Sequence, residues 1–479
     1  MKRFLLSLAL ALPLIAQQVT PPAPSAPRDP KLPQPVEKVL ANGLRVIVVP
    51  KHDIPLVAAR VLVKTGGAAD PRGKAGLAEL TATVLSQGTK TRTAEQIARG
   101  VEALGATINS GAQWDATTID LSVMSSNLPK AMEFAGDVVR NATFAKDEFE
   151  RERAQTIDAL QVNLRQPRTV GGAVMSRLVF GEAPYGSNLA GIPATLEKIR
   201  REDLVAFHKQ HFRPDNAVLI LAGDIKADAA FTLAESVFGT WKGSTPSRSS
   251  AANAAAAASA PRVLVIDMPD AGNSAVTVGR RGIRRSDPAF MQALVTNSIL
   301  GGGYSSRLNQ EIRIKRGLSY GAGSSFDPRA TIGPFTARTE TKHESAAEVA
   351  TLMVGEMNRL ATTDVPDVEL TPRKAVLIGG FAQSLETTSG IVDRISALAL
   401  HGLPLAEINR YVSGVQAVTA QQVRTFAGTN VAKDLNVVIV GDAKQFIKPL
   451  RKQFGEVEVI KFEELDLNSP TLRVRKAKQ

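Results

Sequence analysis

One repetition constrains this chain more than any other feature. Residues 217–224 read AVLILAGD and residues 436–442 read NVVIVGD, two apolar runs that end in the same Gly-Asp pair, with Gly223 and Gly441 218 residues apart. A short apolar run rich in β-branched residues and closed by a turn residue predicts a buried strand. The segments ahead of the two runs follow a common order. In the first half, Asn42-Gly43 suits a hairpin turn because both residues tolerate positive φ. Strands are expected over 44–49 and 56–64, a helix over 76–87, and a second helix over 93–104 that opens with a Thr-x-x-Gln capping box. A strand over 119–124 and helices over 128–140 and 146–165 follow, the last stopped by Pro167. In the second half, strands over 262–266 and 275–278 precede helices over 288–300 and 305–315. Strands over 319–326 and 335–341 come next, then helices over 345–360 and 366–387. A shared order with a shared terminal signature predicts an internal duplication. The expected fold class is α+β: two homologous α/β domains, each a mixed, mostly antiparallel sheet with helices packed on one face.

The boundaries follow from composition. Residues 1–16 carry a basic start (Lys2, Arg3) and a 13-residue apolar run, too short for a bilayer-spanning helix, and predict a secretory signal cleaved after Ala16. The competing reading is an uncleaved anchor. Residues 17–35 hold seven prolines and are expected to form an extended tether. The first domain is placed at 36–242, a flexible Gly/Ser/Ala-rich interdomain linker at 243–261, and the second domain at 262–479. The mature chain is thus expected to be periplasmic or otherwise exported, and soluble, with no integral membrane segment.

The chain of 479 residues has no cysteine, five histidines and 5% aromatic residues. Disulfide scaffolds, zinc ribbons, iron–sulfur sites and thiol catalysis are excluded. The net charge of +12 lacks a dense basic block with interleaved aromatics, and no nucleic-acid partner is expected. His208 and His211 lie at i, i+3 on a helix, a spacing that could hold a metal, and a partly exposed helix end is the favoured reading. Gly301-Gly302-Gly303 lacks the Lys-Ser/Thr of a phosphate loop and is expected to be a tight turn.

Four stretches in order carry a family resemblance: LANGLRVIVVP, GLAELTATVLSQGT, PYGSNLAGIPATLEKIRREDLVAFHKQHFRPDNAVLILAGD and GGGYSSRLNQEIRIKRGLSYGAGSSF. The chain resembles the pitrilysin/insulinase zinc peptidases, or inverzincins, over roughly residues 36–479. That family uses His-x-x-Glu-His: two histidines at i and i+4 share a helix face and hold Zn²⁺, the glutamate activates the metal-bound water, and a later glutamate is the third ligand. In this chain Glu79 stands in the first histidine slot, Ala82 in the base slot, Thr83 in the second histidine slot and Ala159 in the third-ligand slot. The resemblance therefore implies a degenerate zinc site and no autonomous peptide hydrolysis.

The family also uses an Arg-x6-Tyr pair from the second domain, which reads Arg313 and Tyr320 here. Both can donate hydrogen bonds to a peptide carbonyl and to the oxyanion it becomes. Loss of the metal site with retention of this pair resembles the non-catalytic subunit of a heterodimeric zinc metallopeptidase. The implied partner is a homologous subunit with the zinc motif, the implied substrates are peptides, and zinc is expected in the partner while this chain needs no cofactor. Asn109-Ser110-Gly111 lies where a catalytic chain would bind substrate, and no such role is expected here. The alternative is an envelope peptide-binding or scaffold protein on an inactivated peptidase fold. An autonomous hydrolase of other chemistry ranks last, since no Gly-x-Ser-x-Gly elbow is present.

Overall fold

The computed structural model describes residues 34–243 and 262–474. The expected leader, nearly all of the proline-rich stretch and nearly all of the linker lie outside the described residues.

The first half runs through β1 (Val36–Val39), β2 (Arg45–Pro50), β3 (Leu56–Val63), α1 (Leu77–Val84), α2 (Ala94–Glu102), β4 (Thr107–Ala112), β5 (Thr117–Met124), α3 (Leu128–Asn141), α4 (Lys146–Asn163), α5 (Pro167–Phe180), α6 (Pro193–Leu196), α7 (Arg201–His211), β6 (Ala217–Gly223) and α8 (Ala227–Phe238). The second runs through β7 (Val263–Asp267), β8 (Ser274–Arg281), α9 (Phe290–Leu300), α10 (Arg307–Asn309), β9 (Ala322–Phe326), β10 (Pro334–Thr341), α11 (Ala346–Thr362), α12 (Asp367–Ser384), α13 (Thr388–Leu400), α14 (Tyr411–Ala417), α15 (Ala420–Asn430), β11 (Asn436–Gly441), α16 (Ile447–Phe454) and β12 (Glu458–Lys461).

Two mixed six-stranded sheets result, in the orders β1-β2-β6-β3-β5-β4 and β12-β7-β11-β8-β10-β9. Five strands of each sheet, from β2 to β4 and from β7 to β9 in these orders, correspond one to one. The two repeated apolar runs are β6 and β11, and every residue of both strands is buried. Their terminal glycines answer to one steric demand. A Cβ on Gly223 would collide with the Leu56 carbonyl oxygen where β3 begins, and a Cβ on Gly441 would collide with the Ser274 hydroxyl where β8 begins. The sixth strand breaks the symmetry. In the first sheet it is β1, antiparallel to β2, whereas in the second it is the late β12, parallel to β7.

Each half covers one face of its own sheet with helices, as the sequence predicts, and lends a helix to the other half. Helix α5 packs on β8 and β11 of the second sheet, and α13 packs on β3 and β6 of the first. Along α5, Val170, Val174, Met175 and Leu178 are buried against Leu264, Ile266, Val438 and Val440. Burying those four side chains contributes on the order of 8 kcal/mol before chain entropy is subtracted. Polar links reinforce the exchange. Arg60 on β3 pairs with Asp393 on α13 at 2.8 Å and also with Asp120. The Tyr185 hydroxyl donates to Asp115 at 2.5 Å, and Asp115 accepts the Ala330 amide at 2.9 Å. The halves are therefore coupled through their cores, independently of the segment that joins them.

Candidate functional site

Helix α1 carries the positions where a metal site is expected. Its N-terminus is held by Asp70, whose two carboxylate oxygens accept the Gly76 amide at 2.8 Å and the Ala78 amide at 2.9 Å. Burial outweighs these bonds and pushes the Asp70 carboxyl up to about 7. Glu79 accepts the Ala112 amide at 2.7 Å, tying α1 to edge strand β4, and burial holds its carboxyl above the ordinary value. Ala82 is wholly buried, and its carbonyl accepts the Ser110 hydroxyl at 2.7 Å. The Thr83 hydroxyl donates back to the Glu79 carbonyl at 3.0 Å. Ala159 lies on α4, which packs on α1, but is exposed. Among the described residues, no group of three or more His, Cys, Asp or Glu is placed to hold a metal ion. The donor set does not fit zinc: one committed carboxylate, two methyls and a helix-bonded hydroxyl cannot supply three ligands and a base.

The histidine pair packs. His208 shares a 2.8 Å hydrogen bond with the Val139 carbonyl and sits against Phe144 and Phe212, while His211 packs against Phe207. Burial lowers both imidazoles, His211 to about 4, so both are neutral near pH 7.

The segment with Arg313 and Tyr320 is less regular than the expected helix and strand. After α10 the chain makes a π-turn over Gln310–Ile314, closed by Lys315 N donating to the Gln310 carbonyl at 2.9 Å. Such turns recur at functional sites because they re-aim one side chain. Gly317 then takes φ +64°, the left-handed position expected just after a helix. Arg313, on the π-turn, has its guanidinium over the Tyr304 ring, 5.1 Å from the centroid. Tyr320 stands on the loop ahead of β9 and is 97% exposed. That loop is tied down on both sides of it: Ser319 bonds to Thr339 at 2.7 Å and accepts the Gly321 amide at 3.0 Å, and Thr341 donates to the Leu318 carbonyl at 2.6 Å. A large aromatic held out by a fixed loop contributes no burial to the fold. Tyr320 lines a cavity of about 810 Å³ whose walls include Arg168 from α5 and Arg338, Glu340 and Lys342 from β10 and its end. Arg313 does not line it.

The three glycines at 301–303 form the tight turn expected. A Cβ on Gly301 would collide with the Ser324 amide, so α9 can end against β9 only with glycine there. Sequence reasoning missed Asp70, Arg168 and Arg338. Asp70 was in principle findable as an acid ahead of a helix start; the two arginines come from different halves and share no motif.

Two family profiles match the chain. Residues 45–191 match the insulinase peptidase family M16, and residues 198–377 match the peptidase M16 inactive domain. A protein named a zinc protease in Mycobacterium leprae is 27% identical over 406 residues, covering 84% of this chain and 90% of that one. A zinc protease of Rickettsia bellii is 28% identical over 323 residues, 67% of this chain and 77% of that one. Among solved structures, the peptidase M16 inactive domain from Pseudomonas fluorescens superposes with TM-score 0.79 at 25% identity, over 85% of this chain and 98% of that one. A subunit of complex III from Candida albicans superposes with TM-score 0.72 at 13% identity, over 89% and 100%, a likeness of fold alone. Both halves of this chain, with their paired six-stranded sheets, belong to the M16 (insulinase/pitrilysin) peptidase family.

Proposed function

We propose that this chain is the non-catalytic subunit of a heterodimeric M16 zinc peptidase, lending Arg313 and Tyr320 to the active site of a zinc-bearing homologous partner. The reading rests on contrast. On α1, Glu79 engages its carboxylate with a backbone amide, Ala82 is buried and Thr83 bonds back to its own helix, while Ala159 offers only a methyl group. Tyr320, in contrast, is 97% exposed on an anchored loop beside a cavity large enough for a peptide segment. That exposure is the observation that carries the proposal, because packing does not account for it. In the complex, the Tyr320 phenol and the Arg313 guanidinium would donate to the scissile carbonyl and to the oxyanion it becomes, while the partner supplies the metal and the base. Arg313 must leave the Tyr304 ring to take part. A cation–π contact at this half-open position is worth about 1 kcal/mol, small enough to exchange for a substrate carbonyl. Among the described residues no helix is long and apolar enough to cross a membrane. We further propose an exported location, on the strength of the N-terminal sequence.

The test is reconstitution. The chain mixed with a His-x-x-Glu-His homologue should cleave an unstructured peptide that neither cleaves alone. Arg313→Ala with Tyr320→Phe should lower kcat/KM by about 100-fold or more without separating the subunits. Unchanged turnover in that double variant would refute the assigned roles. Failure of every zinc-bearing homologue to associate would favour the scaffold alternative.

A further inference from the structure

Helix α5 packs chiefly on β8 and β11 of the second sheet and only lightly on β10, so a cleft opens beside it over the same face of β10 and the end of β9. A second cavity of about 230 Å³ lies in this cleft. Three arginines line it: Arg168 from α5, Arg338 from β10 and Arg329 from the β9–β10 connection. Their pairing is incomplete. Among the described residues the Arg168 side chain makes no ion pair or hydrogen bond, and the sole side-chain hydrogen bond of Arg338 is to the Thr336 hydroxyl at 3.2 Å. Burial and the Arg168 charge together hold the Arg338 guanidinium below its ordinary value, despite Asp327 nearby.

Arg329 supplies the independent observation. It is 7% exposed and locked in place: Nε and Nη2 donate to Asp327 at 2.9 and 2.7 Å, and the guanidinium lies over the rings of Trp114 and Tyr185 at 4.8 and 4.6 Å. Yet its Nη1 is buried without a hydrogen-bond partner. A buried cationic donor left open costs stability unless something meets it. Asp327, the cleft's one carboxylate, is engaged by Arg329, so the cleft as a whole carries an excess of two positive charges. Hydroxyls of Ser176, Thr277 and Thr336 complete a polar wall.

We propose that this cleft seats the carboxylate of an acidic side chain on an extended peptide, a specificity pocket that rests on the peptide-handling role above. Arg168 and Arg338 line both this cleft and the larger cavity that holds Tyr320, so a chain passing Tyr320 runs along their shared wall. The larger cavity is nearly balanced, since Glu340 and Glu344 line it along with Arg168, Arg338 and Lys342. Charge selection is therefore confined to the cleft, where planar guanidinium groups can grip a planar carboxylate.

The experiment uses the full chain alone, so it stands apart from partner-dependent cleavage. Fluorescence anisotropy at physiological salt compares a labelled peptide bearing one central Glu with its Gln counterpart. The Glu peptide should bind about tenfold tighter, a difference that salt weakens. Arg168→Gln with Arg338→Gln should erase the preference while leaving the melting temperature unchanged or raised, since two like charges are removed. Arg338→Gln alone gives the same reading should the double variant not fold. Equal binding of the two peptides by the wild type, or a Glu preference that survives in the variants, overturns the proposal. So does a melting shift with inorganic phosphate that the variants lose while both peptides bind alike, since the cleft would then serve a free anion. Loss of partner-dependent cleavage with the Glu preference intact would refute only the subunit role.

Discussion

Replacing Asp70 with asparagine should remove a defined pH dependence from the stability of the first half. Asp70 clamps the N-terminus of α1, and burial raises its carboxyl from 3.8 to about 7, with the nearby Glu79 charge adding to the shift. The folded chain therefore keeps this proton up to about pH 7, while the unfolded chain releases it near 3.8. Between those values the folded state binds one more proton, so the stabilisation is fully present below the unfolded pKa and is lost as pH rises through 7. The slope is about 1.4 kcal/mol per pH unit, and integration from pH 5 to pH 8 gives a loss of about 2.6 kcal/mol from this group. Asparagine has the shape of the neutral acid and does not titrate. It loses one of the two amide bonds, a cost of about 1 kcal/mol that is the same at every pH. Urea unfolding at pH 5, 6, 7 and 8 is the assay, followed by tryptophan fluorescence. Trp114 and Trp241, the chain's two tryptophans, both lie in the first half and report on it. The variant should be the less stable form at pH 5 and gain on the wild type by about 2–3 kcal/mol by pH 8. A stability difference that stays flat across this range would show that Asp70 is ionised throughout and that burial does not govern it.

The other predictions concern the exchange of helices, the glycine turn and the metal. Arg60→Met should destabilise the chain by about 1–2 kcal/mol, because Arg60 joins Asp120 to Asp393 across the two halves; the loss should shrink in high salt, as expected for a partly exposed pair. Gly301→Ala should cost about 2–3 kcal/mol in chemical unfolding, since the added methyl meets the Ser324 backbone, whereas Gly303→Ala has open space apart from an arginine tip and should be near neutral. Chelator or added zinc should leave the melting temperature of the isolated chain unmoved, because a ligand stabilises only a fold that binds it; a clear upward shift with zinc would reveal a donor set other than Glu79, Ala82, Thr83 and Ala159.

What the sequence disclosed were local decisions that local chemistry settles. The Asn42-Gly43 turn forms with Gly43 at φ +92° and joins β1 to β2. The Thr93–Gln96 capping box is present with both reciprocal bonds, at 3.2 and 2.9 Å. Elements governed by competition were not disclosed. The strand expected from residue 319 starts at Ala322, since the Ser319 hydroxyl takes the Gly321 amide and turns the chain first. Strand β4 (TINSGA) is suggested only by the family resemblance and not by its residues, because glycine, asparagine and serine have little strand preference and its place is set by pairing with β5.

The exchange of α5 and α13 marks the limit of such reading, and it bears on function. Pro167 was read as a stop, and it does end α4; but proline at the first helical position lacks only an amide that would be free anyway, so it also starts α5. Apolar periodicity then says that α5 is buried without saying against which sheet, since both sheets present similar β-branched faces by duplication. Only the fold places Val170 and Val174 on the second sheet, and with them Arg168 at the open flank of β10, facing Arg338 across the cleft. In the sequence those arginines are 170 residues apart, in different halves of the duplication. The charge of the cleft is thus a product of the exchange: a helix lent by the first half helps build the polar wall beside Tyr320.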